Sequence, residues 1–155
     1  MARVTHKKTR MALRRLMSRS NYVVLECGAG PRLMSNLGLP RARKVILVDP
    51  VKELLDRYRE LLPKNKKTEA IFEFHEFAVG KEEGFADFHL PHIINAGEFG
   101  SGHGSLLPRK GKSVSGKWAT RRVEVKPLSS IDQGDIDIAV IDMEGSECDA
   151  LDIRW

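Results

Sequence analysis

Apolar residues in this chain fall into short unbroken runs, separated by stretches where they recur every three or four positions. Tyr22-Val23-Val24-Leu25 is one such run, rich in residues that favour extended backbone, and it predicts a buried strand ending at Glu26. A glycine turn follows. Pro31 suits the first turn of a helix and Gly38 its end, with Leu33, Met34 and Leu37 on the inner face. Lys44 to Val48 predicts a second strand closing on Asp49-Pro50, where Asp49 can cap the next helix and Pro50 begin it. That helix has apolar positions at Val51, Leu54, Leu55, Tyr58 and Leu62, and Pro63 stops it. Residues 70–79 predict a third strand, running through Ile71-Phe72 and Phe74 to Phe77-Ala78-Val79. Upstream, residues 10–19 predict a short helix with Leu13, Leu16 and Met17 on one face.

Beyond residue 80 the pattern loosens. Phe85 to Leu90 predicts a strand of a small excursion. Residues 95–117, rich in Gly, Ser and Lys, predict a long mobile loop, and Val123-Glu124-Val125 a short strand. Ile136 to Ile141 predicts a buried strand ending in Asp142, followed by Glu144-Gly145-Ser146-Glu147. Strands alternating with helices imply an α/β fold with a mostly parallel sheet. Ligands of such sheets bind beyond the carboxyl ends of the strands. Those ends carry Glu26, Asp49, Glu76 and Asp142, four acids at one edge.

The length of 155 residues suits one domain with a real core. No apolar stretch approaches the roughly 20 residues of a membrane span. Two cysteines, Cys27 and Cys148, make no disulfide framework, so a reducing cytoplasm is the expected compartment and no membrane is an expected partner. The net charge of +5 is unevenly spread. Residues 1–20 hold Arg3, Lys7, Lys8, Arg10, Arg14, Arg15 and Arg19 and no acid, while acids slightly outnumber bases in the remainder. A basic tail over 1–20 preceding a domain over 21–155 is the organisation this implies. The tail lacks the apolar core of a secretory signal. Arg109, Lys110, Lys112, Lys117, Arg121 and Arg122 form a second acid-free run. Such runs can attract phosphates, and more often they are simply solvated.

A glycine turn after the first strand lets a ligand approach backbone closely, and the free N–H groups of the next helix can meet an anion. A dinucleotide would want a third glycine where Leu33 stands, and its pyrophosphate would be repelled by Glu26. S-adenosyl-L-methionine carries an ammonium and a sulfonium, which a carboxylate near its amino-acid end favours. Asp49 follows Gly30 at about 20 residues, the spacing of a carboxylate that accepts hydrogen bonds from ribose hydroxyls. Glu76-Phe77-Ala78 can meet the adenine. The expected cofactor site is therefore Glu26, Gly28, Ala29, Gly30, Asp49, Glu76, Phe77, Ala78 and Asp142, with S-adenosyl-L-methionine as cofactor. The plain alternative is that Glu26 and Asp49 only start helices and that Phe77 is core. The histidines show no metal-ligand spacing, so no metal is expected. Cys27 suits a small packed residue better than a nucleophile.

These motifs resemble the FkbM family of methyltransferases. That family opens with a strand ending D-x-G-A-x-x-G, where this chain has L-E-C-G-A-G, and its second strand ends in E-P, here Asp49-Pro50. A G-S-L segment matches Gly104-Ser105-Leu106. Most specific is V-x-V, an L-x-x-I/L-D stretch and a strand ending K-I-D-x-E-G-x-E, against V-E-V-K-P-L-S-S-I-D and V-I-D-M-E-G-S-E here. Val140 replaces the family's lysine. The resemblance implies a Rossmann-like methyltransferase sheet lacking its last strands, with a homodimer or a partner chain covering the exposed edge. It implies methyl transfer to a hydroxyl of a sugar or small natural product, with Asp142 the candidate base, Glu144 the second and His103 a remote third. A nucleic-acid-directed methyltransferase using the basic runs is less favoured, because those runs lack interleaved aromatics. A non-catalytic cofactor-binding partner subunit is the third reading. Because the excess positive charge lies in the tail, deleting residues 1–19 is expected to lower retention on heparin in a salt gradient while leaving ligand binding intact; unchanged retention would show that the tail holds no anions.

Overall fold

In chain order the strands of the computed structural model are β1 (Tyr22–Cys27), β2 (Ala42–Val48), β3 (Ile71–His75), β4 (Ala78–Val79), β5 (Gly84–Pro91), β6 (Trp118–Lys126) and β7 (Ile138–Ile141). Helix α1 spans Lys52–Leu61, α2 spans Glu147–Ala150, and a 3-10 turn covers Leu128–Ser130. The structure describes residues 11–12, 14–30, 33, 41–64, 68–91, 104–108, 118–131 and 134–151. The helix expected over 31–38 and most of the loop expected over 95–117 lie outside these residues.

The main sheet has the order β3-β2-β1-β7, and every neighbouring pair is parallel. The chain steps outward from β1 to β3 and then returns to place β7 on the opposite side of β1. Strand order therefore reverses between β1 and β7, where open α/β sheets form their ligand crevice. A second, smaller sheet has the order β4-β6-β5, with β4 parallel and β5 antiparallel to β6.

Burial explains these elements. All six residues of β1 are buried, as a central strand covered on both faces requires. On one face Val24, Val45 and Leu47 pack against Leu55 and Tyr58 of α1; on the other, Val23, Leu25, Ile46 and Val48 pack with Phe77 and Ile131. A third cluster joins Val51 and Leu54 to Ala78, Phe88, Val123 and Val125, so α1 is apolar on two sides and seats the small sheet against the large one. Each such side chain contributes about 1.5–3 kcal/mol by leaving water.

Several expectations change. The run over 70–79 is two strands in two sheets: β3 stays in the main sheet, and the chain crosses at Glu76-Phe77 to start β4. The run Arg109–Arg122 is not loop throughout, because Arg121 and Arg122 belong to β6, a nine-residue strand. Strand β7 starts at Ile138 rather than 136 and is half-buried rather than covered, since it forms an edge of the main sheet. Near the N-terminus Met17 is buried but Leu16 is 49% exposed, so they do not share an inward face. Asp49 does not cap α1; the helix begins after Val51, with no side-chain cap.

Gly28 has φ 78°, and a β-carbon there would overlap the backbone carbonyl oxygen of Asp142. Gly28→Ala is therefore expected to lower stability by about 2–4 kcal/mol in denaturant melts, from left-handed backbone strain plus a clash that only strand movement relieves. Gly84→Ala, at a position with nothing within 4 Å, is the control and should change little.

Candidate active site

The site begins where three parallel strands stop. Gly28 N–H donates to the Val48 carbonyl at 3.0 Å, Asp142 N–H to the Cys27 carbonyl at 3.1 Å, and Asp49 N–H to the His75 carbonyl at 3.1 Å. These bonds extend the ladder one step past β1, β2 and β7 and bring Gly28, Asp49 and Asp142 to one edge.

Asp49 is only 5% exposed. Its Oδ1 accepts the Val51 N–H at 2.8 Å and its Oδ2 the Gly30 N–H at 3.4 Å, so one carboxylate ties the residue before the helix to the glycine loop. Burial pushes its pKa up to about 6, against the stabilising backbone donors of Val51, Gly30 and Ala29. Gly30 has φ 49°, and its carbonyl accepts the Tyr58 hydroxyl at 2.8 Å. The loop is thus tied to both Asp49 and α1.

A cavity of about 240 Å³ opens along this edge, between the two sheets. Of the residues expected to hold a cofactor, Gly28, Gly30, Asp49, Phe77, Ala78 and Asp142 line it. The other expected residues do not. Glu26 is 2% exposed and lies beside Val140 in the β1–β7 register, on the sheet face covered by Tyr58. Ala29 is buried behind the loop, Glu76 points to solvent at the crossing between sheets, and Glu144 is half-buried off the cavity wall. His103 lies outside the described residues. Cys27 is buried, and that burial, reinforced by the charges of Glu26 and Asp49, pushes its pKa up to about 12. It is a packed thiol and not a nucleophile. Among the described residues no group of His, Cys, Asp and Glu could hold a metal ion, and none of the described helices is long and apolar enough to cross a membrane.

Sequence reasoning missed much of the wall. Val51, Leu54, Phe88, Leu90, Leu106 and Met143 make it predominantly apolar. Glu53 of α1 and Arg121 of β6 join across it, with both guanidinium nitrogens 2.8 Å from the two carboxylate oxygens. The Arg121 bond holds the Glu53 carboxyl below the usual carboxylate range. Alternation of Ala119, Arg121, Val123 and Val125 along β6 was the available signal, because it puts Arg121 on the inward face.

The turn after β7 is built by its own acids. Glu147 receives the N–H of Met143 at 2.9 Å and of Gly145 at 3.0 Å. Burial raises its pKa, but these donors outweigh burial and hold it below the usual range. Ser105, fully buried, donates to the Glu144 carbonyl at 3.0 Å and so ties the Gly104-Ser105-Leu106 segment to that turn.

A parallel sheet reversing at β1, with a glycine turn, a buried carboxylate and a cavity at its carboxyl edge, defines a Rossmann-like α/β domain. The model of the methyltransferase FkbM domain matches residues 26–154, and the chain belongs to that family. Its domain is thus a methyltransferase domain. Searches of curated proteins and of solved structures returned no match.

Asp49 carries a pH signature. Its folded pKa of about 6 exceeds the ordinary 3.8. Its contribution is therefore fully present below about 3.8 and is lost as pH rises through about 6. Relative to Asp49→Asn, the wild-type protein is expected to lose up to about 3 kcal/mol across that window in denaturant melts. Parallel stability profiles for the two proteins would contradict the burial argument.

Proposed function

We propose that this protein binds S-adenosyl-L-methionine along the carboxyl edge of its main sheet and transfers the methyl group to a hydroxyl of a sugar or small natural product. The observation that carries the reading is Asp49: a buried carboxylate on the cavity wall, held by backbone at both oxygens. Each oxygen has acceptor capacity left over, which suits the two hydroxyls of a ribose. Phe77, Ala78 and the apolar wall beside them suit an adenine ring. The glycine loop suits the amino-acid end.

When bound, the cofactor supplies a methyl group already activated by its sulfonium. The protein's part is alignment of the acceptor oxygen with that group and exclusion of water. Asp142 is on the cavity wall with its backbone N–H bound to Cys27, so its carboxylate is the group best located to take the hydroxyl proton. Glu144, off that wall, is the second candidate. The free thiols and the absence of a membrane-length helix among the described residues fit a cytoplasmic protein.

Calorimetry with S-adenosyl-L-methionine, its demethylated product and NAD tests the reading. The first two should bind and NAD should not; NAD binding of similar affinity overturns it. Asp49→Ala should weaken cofactor binding by about 1.5–3 kcal/mol, the range for a lost charge-assisted hydrogen bond. The ribose needs the ionised carboxylate, so affinity should increase as pH rises through about 6 and level off above it. A pH-independent dissociation constant would remove Asp49 from the site.

A further inference from the structure

The cavity lies between two separate sheets, so the bonds joining those sheets decide what can pass in and out. The floor is the apolar cluster of Val51, Leu54, Phe88, Val123 and Val125. Among the described residues two polar ties cross above it on opposite sides, and the chain itself joins the sheets at Glu76-Phe77. On the β7 side, Ser105 pairs by backbone with His89 of β5 at 2.9 and 3.0 Å, and its hydroxyl holds the Glu144 carbonyl. A β-carbon at Gly104 would stand 2.5 Å from the Phe88 ring, so this segment is seated hard against β5. On the α1 side, Arg121 grips Glu53 with two parallel bonds of 2.8 Å.

The two ties differ in one decisive respect. Ser105 is fully buried, and no water stands ready to replace its partner. The Glu53 and Arg121 side chains are 40% and 45% exposed, so water can take over both bonds at small cost. Both residues also form part of the cavity wall. One side is thus a fixed anchor and the other a fastening that can open.

We propose that the Glu53–Arg121 fork is a clasp that gates the cavity, closing the small sheet over a bound ligand and opening to exchange it, with the Ser105–Glu144 side as the hinge. The proposal rests on the cofactor reading for its ligand, S-adenosylhomocysteine serving as the probe.

Stopped-flow binding to the full chain is the test. In Glu53→Gln and Arg121→Gln, association and dissociation rate constants should both rise, each about fivefold, while the dissociation constant changes less than either. The charge-reversed pair E53R/R121E should restore slow exchange. A role in fold stability alone would lower the melting temperature and leave both rates unchanged, and that result overturns the proposal. So does a rise in dissociation alone, which would make Arg121 a ligand contact instead of a gate. Hydrogen exchange on the ligand-free protein gives an independent reading: faster exchange across Ala119–Val123 in Glu53→Gln supports the clasp, and unchanged exchange refutes it. Failure of the wild-type protein to bind S-adenosylhomocysteine would overturn the cofactor reading, and the exchange experiment would still decide the clasp.

Discussion

The carbonyl oxygen of Asp142 lies where any side chain at residue 28 would have to stand, and the architecture of the site follows from that contact. It lets the end of β7 close against the end of β1, so that the two strands flanking the reversal of the sheet finish at the same level. The N–H of residue 28 meanwhile reaches Val48, and the N–H of Asp142 reaches Cys27. Three strand ends are locked together by backbone alone. The ladder needs neither the Asp49 nor the Asp142 side chain, and Asp49 uses its carboxylate to hold the Val51 and Gly30 N–H groups.

That placement of Asp49 has a cost. A carboxylate this deeply buried is expensive to ionise, and the backbone donors of Val51, Gly30 and Ala29 offset only part of the cost. A purely structural role would be served as well by asparagine or serine, which bind the same N–H groups without a charge. What the carboxylate adds is further acceptor capacity facing the cavity. The wall around it offers few other polar groups. Apart from the Glu53–Arg121 pair and Asp142, the cavity is lined mainly by apolar side chains and backbone.

The main sheet was legible because its strands are unbroken apolar runs and α1 has a clean helical period. The glycine turn and Asp49 could be read for the same reason: each stands immediately after such a run. The small sheet was harder. Ile71 to Val79 is one continuous run in sequence, and nothing local marks the crossing at Glu76, which depends on where β4 finds β6 as a partner. Arg121 and Arg122 looked like loop residues because charge masks the alternation of β6. Their inward and outward faces are set by β5, which pairs with them from more than thirty residues away. Glu26 could be recognised as unusual, but not which face of β1 it takes; the strand's period places it with Val24, under Tyr58, away from the cavity. Ser105 and Glu147 were visible only as motif letters, since their partners are backbone groups that no side-chain pattern reveals.

That last point separates two kinds of work within the family's motifs. Glu147 binds the N–H groups of its own turn, Ser105 binds the Glu144 carbonyl, and Gly28 yields space to the Asp142 carbonyl. Each fixes backbone, and none of the three depends on what is bound. Of the acids in the stretch Asp142 to Glu147, only Asp142 lies on the cavity wall. The motif therefore specifies a backbone frame that holds one carboxylate on the cavity wall. The rest of the lining comes largely from side chains outside it: Phe88 and Leu90 on β5, Leu106 beside the buried serine, and Arg121 on β6. All but Leu106 sit on the small sheet, which among the described residues is joined to the frame by the chain at Glu76-Phe77, an apolar floor and two hydrogen-bonded ties. The cavity is thus bounded by the carboxyl edge of the main sheet on one side and by the small sheet on the other.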